Sequence, residues 1–236
     1  MMKLGIIGAM SVEVETIKRQ MQDVSVTCCA GMDFYSGILE QLPVVVVQCG
    51  VGKVNAALCV QVLCDRFSVT HIVNTGVAGS LLAEMDIGDF VVSKDALYHD
   101  FDCHVLNDNY VVGQVPGLSV RAFPADDRLI CLANAAAEKV HPGHSRVGTV
   151  ASGDQFICDE KIKDKIISDT GAICTEMEGA AIAHAAWRNS VPFVIIRAIS
   201  DKADGSAEMD YPTFEAIAAK RCAAVTQTLA QLMVSK

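Results

Sequence analysis

No stretch of this chain approaches the eighteen or more consecutive apolar residues of a membrane-crossing helix, although 51% of its 236 residues are hydrophobic. The opening, Met1-Met-Lys-Leu-Gly-Ile-Ile, has one positive charge and an apolar stretch too short for a secretory signal. It reads as a first strand, and the expected location is cytoplasmic. Clusters of Lys and Arg are also missing: 19 basic residues stand against 28 acidic ones, a formal net charge of −9. Polyanions are held by basic patches that neutralise phosphates, so neither nucleic acid nor membrane is expected as a partner. A small neutral or cationic ligand suits the charge better. Ten cysteines include no Cys-x-x-Cys pair and are irregularly spaced, which argues against a disulfide framework. Cys59 and Cys64 in an apolar helical stretch, Cys174 at the end of a strand, and most of the others read as small buried hydrophobes. Repeats, low-complexity tracts and linker-like breaks are lacking, so one domain over residues 1–236 is expected, large enough for a sizeable core.

Two nucleotide-binding signatures are incomplete. Gly5-Ile-Ile-Gly8 lacks the Gly-x-Gly-x-x-Gly fingerprint, and Gly50-Val-Gly-Lys53 lacks the P-loop spacing and is followed by Val54 rather than Ser or Thr. Both read as tight strand-to-helix turns, where glycine lets backbone approach a ligand closely. In His99-Asp-Phe-Asp-Cys-His104, alternation puts Asp100, Asp102 and His104 on one side, but no second ligand cluster has helical spacing. It reads as a solvated polar loop, and no metal or cofactor is expected. His141 and His144, in a Pro-Gly loop, are expected to face solvent.

Apolar runs of strand length alternate with helical periodicity. Strands are expected at Leu4–Ile7, Phe34–Leu39, Val44–Cys49, His71–Thr75, Phe90–Ser93, Arg146–Ser152, Ala172–Thr175 and Phe193–Ala198. Helices are expected after Ser11 (a cap for Val14, Ile17 and Met21), from Gly50-Val-Gly-Lys53 to Phe67, and from Asp126 to Val140. Others begin at Asp159 and run over Met177–Asn189 and Thr213–Met233. Gly76-Val-Ala-Gly79 lies between two strands, and residues 98–125 are loop-rich, with turns at Asp108-Asn-Tyr110 and Pro116-Gly117. The fold class is α/β, with a central mixed sheet flanked by helices.

Carboxylates gather where such a sheet binds ligands. Arg197, Ser200 and Asp201 follow the apolar run Val191–Ile196, at the carboxyl edge of a strand. Arg197 offers Asp201 a counter-charge. Glu13 falls in the first turn of a helix, where an acid also serves the macrodipole. Glu176 and Glu178 are two apart and cannot share a helix face, so one serves the helix terminus while the other enters a site. An acid-lined pocket of this kind suits proton transfer to a leaving group.

In sequence order, Gly5-Ile-Ile-Gly-Ala-Met-Ser-Val-Glu13, Gly50-Val-Gly-Lys-Val54, Asn74-Thr-Gly-Val-Ala-Gly79 and Tyr98-His-Asp100 are followed by Ser152-Gly-Asp-Gln-Phe-Ile157, Glu176-Met-Glu178 and Arg197-Ala-Ile-Ser-Asp201. With these seven motifs over nearly its full length, the chain resembles the nucleoside phosphorylase and nucleosidase superfamily, most of all its 5′-methylthioadenosine/S-adenosylhomocysteine nucleosidase family. The resemblance implies a three-layer sandwich and hydrolysis of the bond between adenine and a 5′-thio-substituted ribose. It implies that Asp201 is the general acid that protonates adenine N7, oriented by Ser200, and that Glu13 holds or activates the attacking water. It assigns the ribose hydroxyls to Glu178, helped by the Met177 backbone and Arg197, and adenine to Phe156 and the Ile157 backbone. Met10, Val51 and Tyr211 match the alkylthio pocket, and Ala78 and Gly79 are implied to bind substrate as well. It further implies a homodimer in which a loop around Pro116 closes the partner's pocket.

The chemistry agrees with those roles. Adeninyl anion leaves poorly, so protonation at N7 relieves charge as the glycosidic bond breaks, and a positioned acid contributes roughly 10²–10⁴ in rate. Carboxylates stabilise the oxocarbenium-like sugar. Asp201 must carry a proton to act, so its pKa is expected to be raised by partial burial. A phosphorylase wants arginines around its anion, yet the segment from His71 to Val120 has none, and Glu13 repels phosphate. Water is therefore the expected nucleophile, with phosphorolysis and non-catalytic nucleoside binding as the alternatives. The sequence departs from the family pattern at Val77, Cys103 and Gly179, of which Val77 bears on water placement and substrate preference.

Overall fold

The computed structural model describes residues 2–106 and 110–234, and the turn expected at Asp108-Asn109 lies outside them. Six helices flank one ten-stranded mixed sheet among these residues. Its middle is built from apolar strands in parallel: β1 (Leu4–Gly8) lies between β4 (Leu42–Gln48) and β5 (His71–Ser80). A meander of β4, β3 (Met32–Leu39) and β2 (Gln22–Cys29) extends one side. On the other side, β5 pairs in parallel with β10 (Phe193–Asp201) and antiparallel with β9 (Cys174–Glu176). β8 (Ser145–Ser152) runs parallel to both β9 and β6 (Phe90–Tyr98), and β6 pairs antiparallel with β10. The sheet thus returns on itself through β5, β10, β6, β8 and β9. The two-residue β7 (Phe123–Pro124) pairs with β6.

Apolar side chains cover both faces, giving three layers. One core cluster unites Ile7, Val45 and Ile195 with Cys59, Leu63 and Ala183 of α2 (Lys53–Phe67) and α5 (Gly179–Arg188). The other unites Ile6, Val46 and Ile196 with residues of α1 (Ser11–Gln20), α3 (Asp127–Val140) and α6 (Ala207–Val234). A further helix, α4 (Glu160–Thr170), is capped by Asp159, whose carboxylate accepts the Lys161 and Ile162 N–H groups. Asp126 caps α3 as expected, through Leu129 N–H at 2.9 Å.

Several local expectations are corrected. Ser11 does not cap α1: it is the first helical residue, and Met10 holds the cap position. β2 is an addition to the expected strands: its Val24, Val26 and Cys28 alternate, but the strand is exposed nearly throughout and buries no apolar face. Gly76–Gly79 is not a connection but part of β5. α6 begins at Ala207, six residues earlier than expected, with Pro212 inside it. Of the ten free cysteines only Cys49, Cys59, Cys174 and Cys222 are buried, and Cys174 opens β9 rather than closing a strand. His141 is half-buried and stacks on His144 instead of simply facing solvent.

Candidate active site

The ends of β1, β5, β9 and β10 meet beneath a cleft of about 690 Å³, including its open mouth. Its lining includes Met10, Glu13, Val51, Ala78, Gly79, Phe156, Ile157, Met177, Glu178, Ser200, Asp201 and Tyr211. These are all the sequence-predicted site residues except Arg197 and Pro116.

Glu13 is 4% exposed and fully engaged by backbone. Its Oε2 accepts the N–H groups of Ala9 at 2.7 Å and Met10 at 2.9 Å, and its Oε1 accepts Val77 N–H at 3.1 Å. The carboxylate thus secures the start of α1 while standing in the cavity wall. Burial pushes its pKa above the usual carboxylate value, against the opposing pull of Arg197 and these three donors. A Cβ on Gly76 would lie 2.4 Å from Glu13 Oε1 and 2.6 Å from Arg197 Nη1, so glycine is what admits both side chains.

Asp201 ends β10 and also lines the cleft. Its Oδ2 accepts the Ser200 hydroxyl at 2.8 Å and its Oδ1 the Ala203 N–H at 2.8 Å. Burial raises its pKa, as expected, although these two donors oppose the shift. Gly79 allows the approach, because a Cβ there would sit 2.7 Å from Asp201 Oδ1.

The two glutamates of Glu176-Met-Glu178 divide as expected. Glu176 serves the start of α5, accepting Glu178 N–H at 3.1 Å and Gly179 N–H at 2.8 Å through Oε2, and the Ser152 hydroxyl through Oε1. Glu178 turns into the cleft, where its Oε1 accepts Gly52 N–H at 2.8 Å. Burial and the neighbouring Glu176 carboxylate push Glu178 up to about 8, whereas Arg197 and the donors around Glu176 overcome its burial and hold it below the usual value.

Arg197 is corrected on two counts. It does not line the cleft, and it is not the counter-charge of Asp201. Its guanidinium, 2% exposed, donates to Glu176 and, at 2.6 Å, to Asn74, and lies 3.8 Å from Glu178. The cause is an irregularity in β10: Ile199 pairs with Ala78 and Asp201 with Gly79, so two residues advance against one. Alternation is broken there, and residues 197 and 201 no longer share a face. Pro116 is exposed and belongs to no wall of this chain's cleft.

Ala9, Gln155 and Thr175, which the sequence did not single out, also line the cleft, as do Val77, noted as a departure from the family pattern, and Glu176, the partner in the Glu176-Met-Glu178 motif; Asn74 holds Arg197 from behind. Phe156, 47% exposed, meets Tyr211 edge-on at 5.3 Å between centroids, and the Tyr211 hydroxyl donates to Met10 Sδ at 3.3 Å. The cleft therefore combines an aromatic and sulfur surface from Phe156, Tyr211 and Met10 with three carboxyl groups of raised pKa, Glu13, Glu178 and Asp201. The arrangement can take a flat heterocycle, protonate it and stabilise a cation.

The fold and cleft define a nucleoside-processing α/β protein, and a family model described as Phosphorylase superfamily matches residues 3–231. The 5′-methylthioadenosine/S-adenosylhomocysteine nucleosidase of Oceanobacillus iheyensis is 39% identical over 94% of this chain and 96% of its own. A nucleosidase of that name from Colwellia psychrerythraea, solved in complex with adenine, superposes with a TM-score of 0.92 at 37% identity, covering 97% of this chain and 94% of its own. The Neisseria meningitidis enzyme in complex with methylthio-immucillin-A gives 0.94 at 32% identity, over 98% and 100%. The chain belongs to the phosphorylase superfamily and, within it, to the 5′-methylthioadenosine/S-adenosylhomocysteine nucleosidase family.

Proposed function

We propose that this chain, acting as one domain over residues 1–236, hydrolyses the N-glycosidic bond of 5′-methylthioadenosine and S-adenosylhomocysteine to adenine and the 5′-thioribose. The observation that carries the reading is that two carboxyl groups fixed by backbone donors, Glu13 and Asp201, line one cleft together with the half-exposed ring of Phe156. Relatives bearing that nucleosidase name, one of them bound to adenine, point to the same substrates.

Asp201, whose pKa burial raises, gives a proton to adenine N7 while Ser200 and the Ala203 N–H hold the carboxyl group in place. Phe156 stacks on the base, and Ile157 meets its polar edge. As the bond to the sugar lengthens, positive charge develops on the ring, and Glu178 takes the ribose hydroxyls with the Met177 backbone beside it. That cation also favours the ionised form of Glu178. Glu13, pinned by three N–H groups, orients water for attack on the anomeric carbon. Met10, Val51 and Tyr211 take the alkylthio tail. Arg197 acts through Glu176 and Glu178 rather than on substrate.

Phosphate is a poor nucleophile here. The arginine nearest the cleft is enclosed by Glu176 and Asn74, and the carboxylate of Glu13 stands in the wall where the anion would approach. The functional unit is a homodimer: Val54 and Leu58 of α2 are 71% and 49% exposed and border an apolar groove with Tyr98, Ala181 and Ala185. In such a dimer the loop bearing Pro116 reaches the partner's alkylthio pocket. Ten free thiols suit a reducing, cytoplasmic setting.

Adenine release from both nucleosides, followed spectrophotometrically, tests the assignment. Wild type is expected to turn over both, and Asp201→Asn to lose roughly 10²–10⁴ in kcat with a smaller change in KM. Near-normal release by Asp201→Asn would remove Asp201 from the chemistry.

A further inference from the structure

Ligating side chains also gather outside the cleft. Asp89 immediately precedes β6, and His141 and His144 flank the Pro142-Gly143 turn between α3 and β8. The imidazole rings stack at 3.7 Å between centroids, 6° from parallel. His144 Nδ1 lies 2.7 Å from Asp89 Oδ1, and one ligating atom from each of the three residues falls within 4.8 Å of the others. His141 Nδ1 is shielded from solvent and has no hydrogen-bond partner. Buried imidazole nitrogens are normally satisfied, so this one calls for an explanation.

The surrounding backbone holds the three residues in place. His141 N–H donates to the Ala137 carbonyl at 2.8 Å, His144 N–H to the His141 carbonyl at 3.2 Å, and Phe90 N–H to the His144 carbonyl at 2.8 Å. Glu138 grips the turn itself through Gly143 N–H at 2.8 Å and the Ser145 hydroxyl. Asp89 Oδ2 accepts Asp86 N–H at 2.8 Å, which orients the carboxylate and leaves Oδ1 toward the histidines. Outer contacts of this kind are what aim ligands at a metal.

We propose that Asp89, His141 and His144 bind a divalent transition-metal cation of the zinc type, through two imidazole nitrogens and one carboxylate oxygen, with water completing the coordination. Imidazole with carboxylate is a borderline donor set suited to zinc and its neighbours rather than to magnesium or calcium. Binding exchanges the bond between His144 and Asp89 for two bonds to the ion, with metal–ligand distances contracting to about 2.0–2.2 Å. The His144 side chain, 44% exposed, has room for that adjustment. Asp89 is also tied to β10, its carbonyl accepting Ile199 N–H at 2.9 Å while the neighbouring Gly88 N–H donates to the Ile199 carbonyl at 2.8 Å. The ion therefore fastens the α3–β8 turn to the strand that ends in Asp201. None of the three residues lines the cleft, so its role is structural and not chemical.

The test uses the full chain, stripped with chelator and titrated with Zn²⁺ by calorimetry and with Co²⁺ by visible absorption. Wild type is compared with His141→Gln, His144→Gln and Asp89→Asn. The proposal expects one ion per chain and a cobalt spectrum without thiolate charge-transfer bands. It also expects about a tenfold or greater loss of affinity with each substitution. Zn²⁺ should raise the unfolding midpoint of wild type and leave that of the His141→Gln/His144→Gln double variant unmoved, while chelator leaves adenine release intact. Absence of saturable binding by wild type, equal binding by the variants, or a thiolate-type cobalt spectrum would each overturn it.

Discussion

Burial and the adjacent Glu176 carboxylate hold Glu178 protonated up to about pH 8. Because its pKa is raised from 4.5, the folded state takes up the proton more readily than the unfolded chain. The contribution of the neutral acid to stability is thus fully present below about pH 4.5 and is lost as pH rises through about 8. Replacing Glu178 by Gln keeps an acceptor for Gly52 N–H and removes the titration. In denaturant unfolding, Glu178→Gln should match wild type near pH 4 and exceed it near pH 9, by on the order of a few kcal/mol. An equal difference at both pH values would refute this reading of the site. Asp201 must be protonated and Glu13 ionised for turnover, so kcat/KM should be bell-shaped in pH, with Asp201→Asn losing the alkaline limb. Glu13 and Asp201 were legible as candidates in the sequence because one opens a helix and the other ends an apolar run, whereas the pattern left open which of Glu176 and Glu178 enters the cleft and only the family resemblance assigned Glu178. The partner of Arg197 was not, since sequence spacing cannot show that the β10 irregularity turns Asp201 away from it.

At the scale of elements, legibility follows burial pattern and caps. α3 and α4 start where Asp126 and Asp159 announce them, because a side-chain cap is a local interaction. β2 was hidden because its pairing with β3 is tertiary and its own side chains lie in solvent. β5 runs to Ser80, beyond the Thr75 expected from a sequence in which its glycines resemble a turn. Within the sheet they are gaps for the carboxyl groups of Glu13 and Asp201. A methyl group at Gly76 must displace Glu13 or Arg197 from β5. Gly76→Ala should therefore lower kcat on the order of 10²-fold while the protein still unfolds cooperatively, because small misplacements of reacting groups are costly. Unchanged kcat would show that the cavity wall yields without moving Glu13.

For the whole molecule, the adjacency of β1, β5 and β10 brings together residues from both ends of the chain, Glu13 and Asp201 among them, and closure of the sheet through β6, β8 and β9 adds Glu176 to the same cleft. Sequence alternation revealed an α/β layering but not that closure, which depends on β10 pairing with two strands distant in sequence. Sizing at micromolar concentration should give a dimer, and Leu58→Glu in the apolar groove should shift it toward monomer and weaken binding of the thioalkyl tail. A wild-type monomer would remove the role given to the Pro116 loop. The central claim is that water, not phosphate, attacks the sugar. It is tested most directly by incubating the protein with methylthioadenosine in ¹⁸O-water, with and without phosphate, and identifying the sugar. Free methylthioribose carrying ¹⁸O at the anomeric position, formed equally under both conditions, is the predicted result; a sugar 1-phosphate formed only when phosphate is present would contradict it.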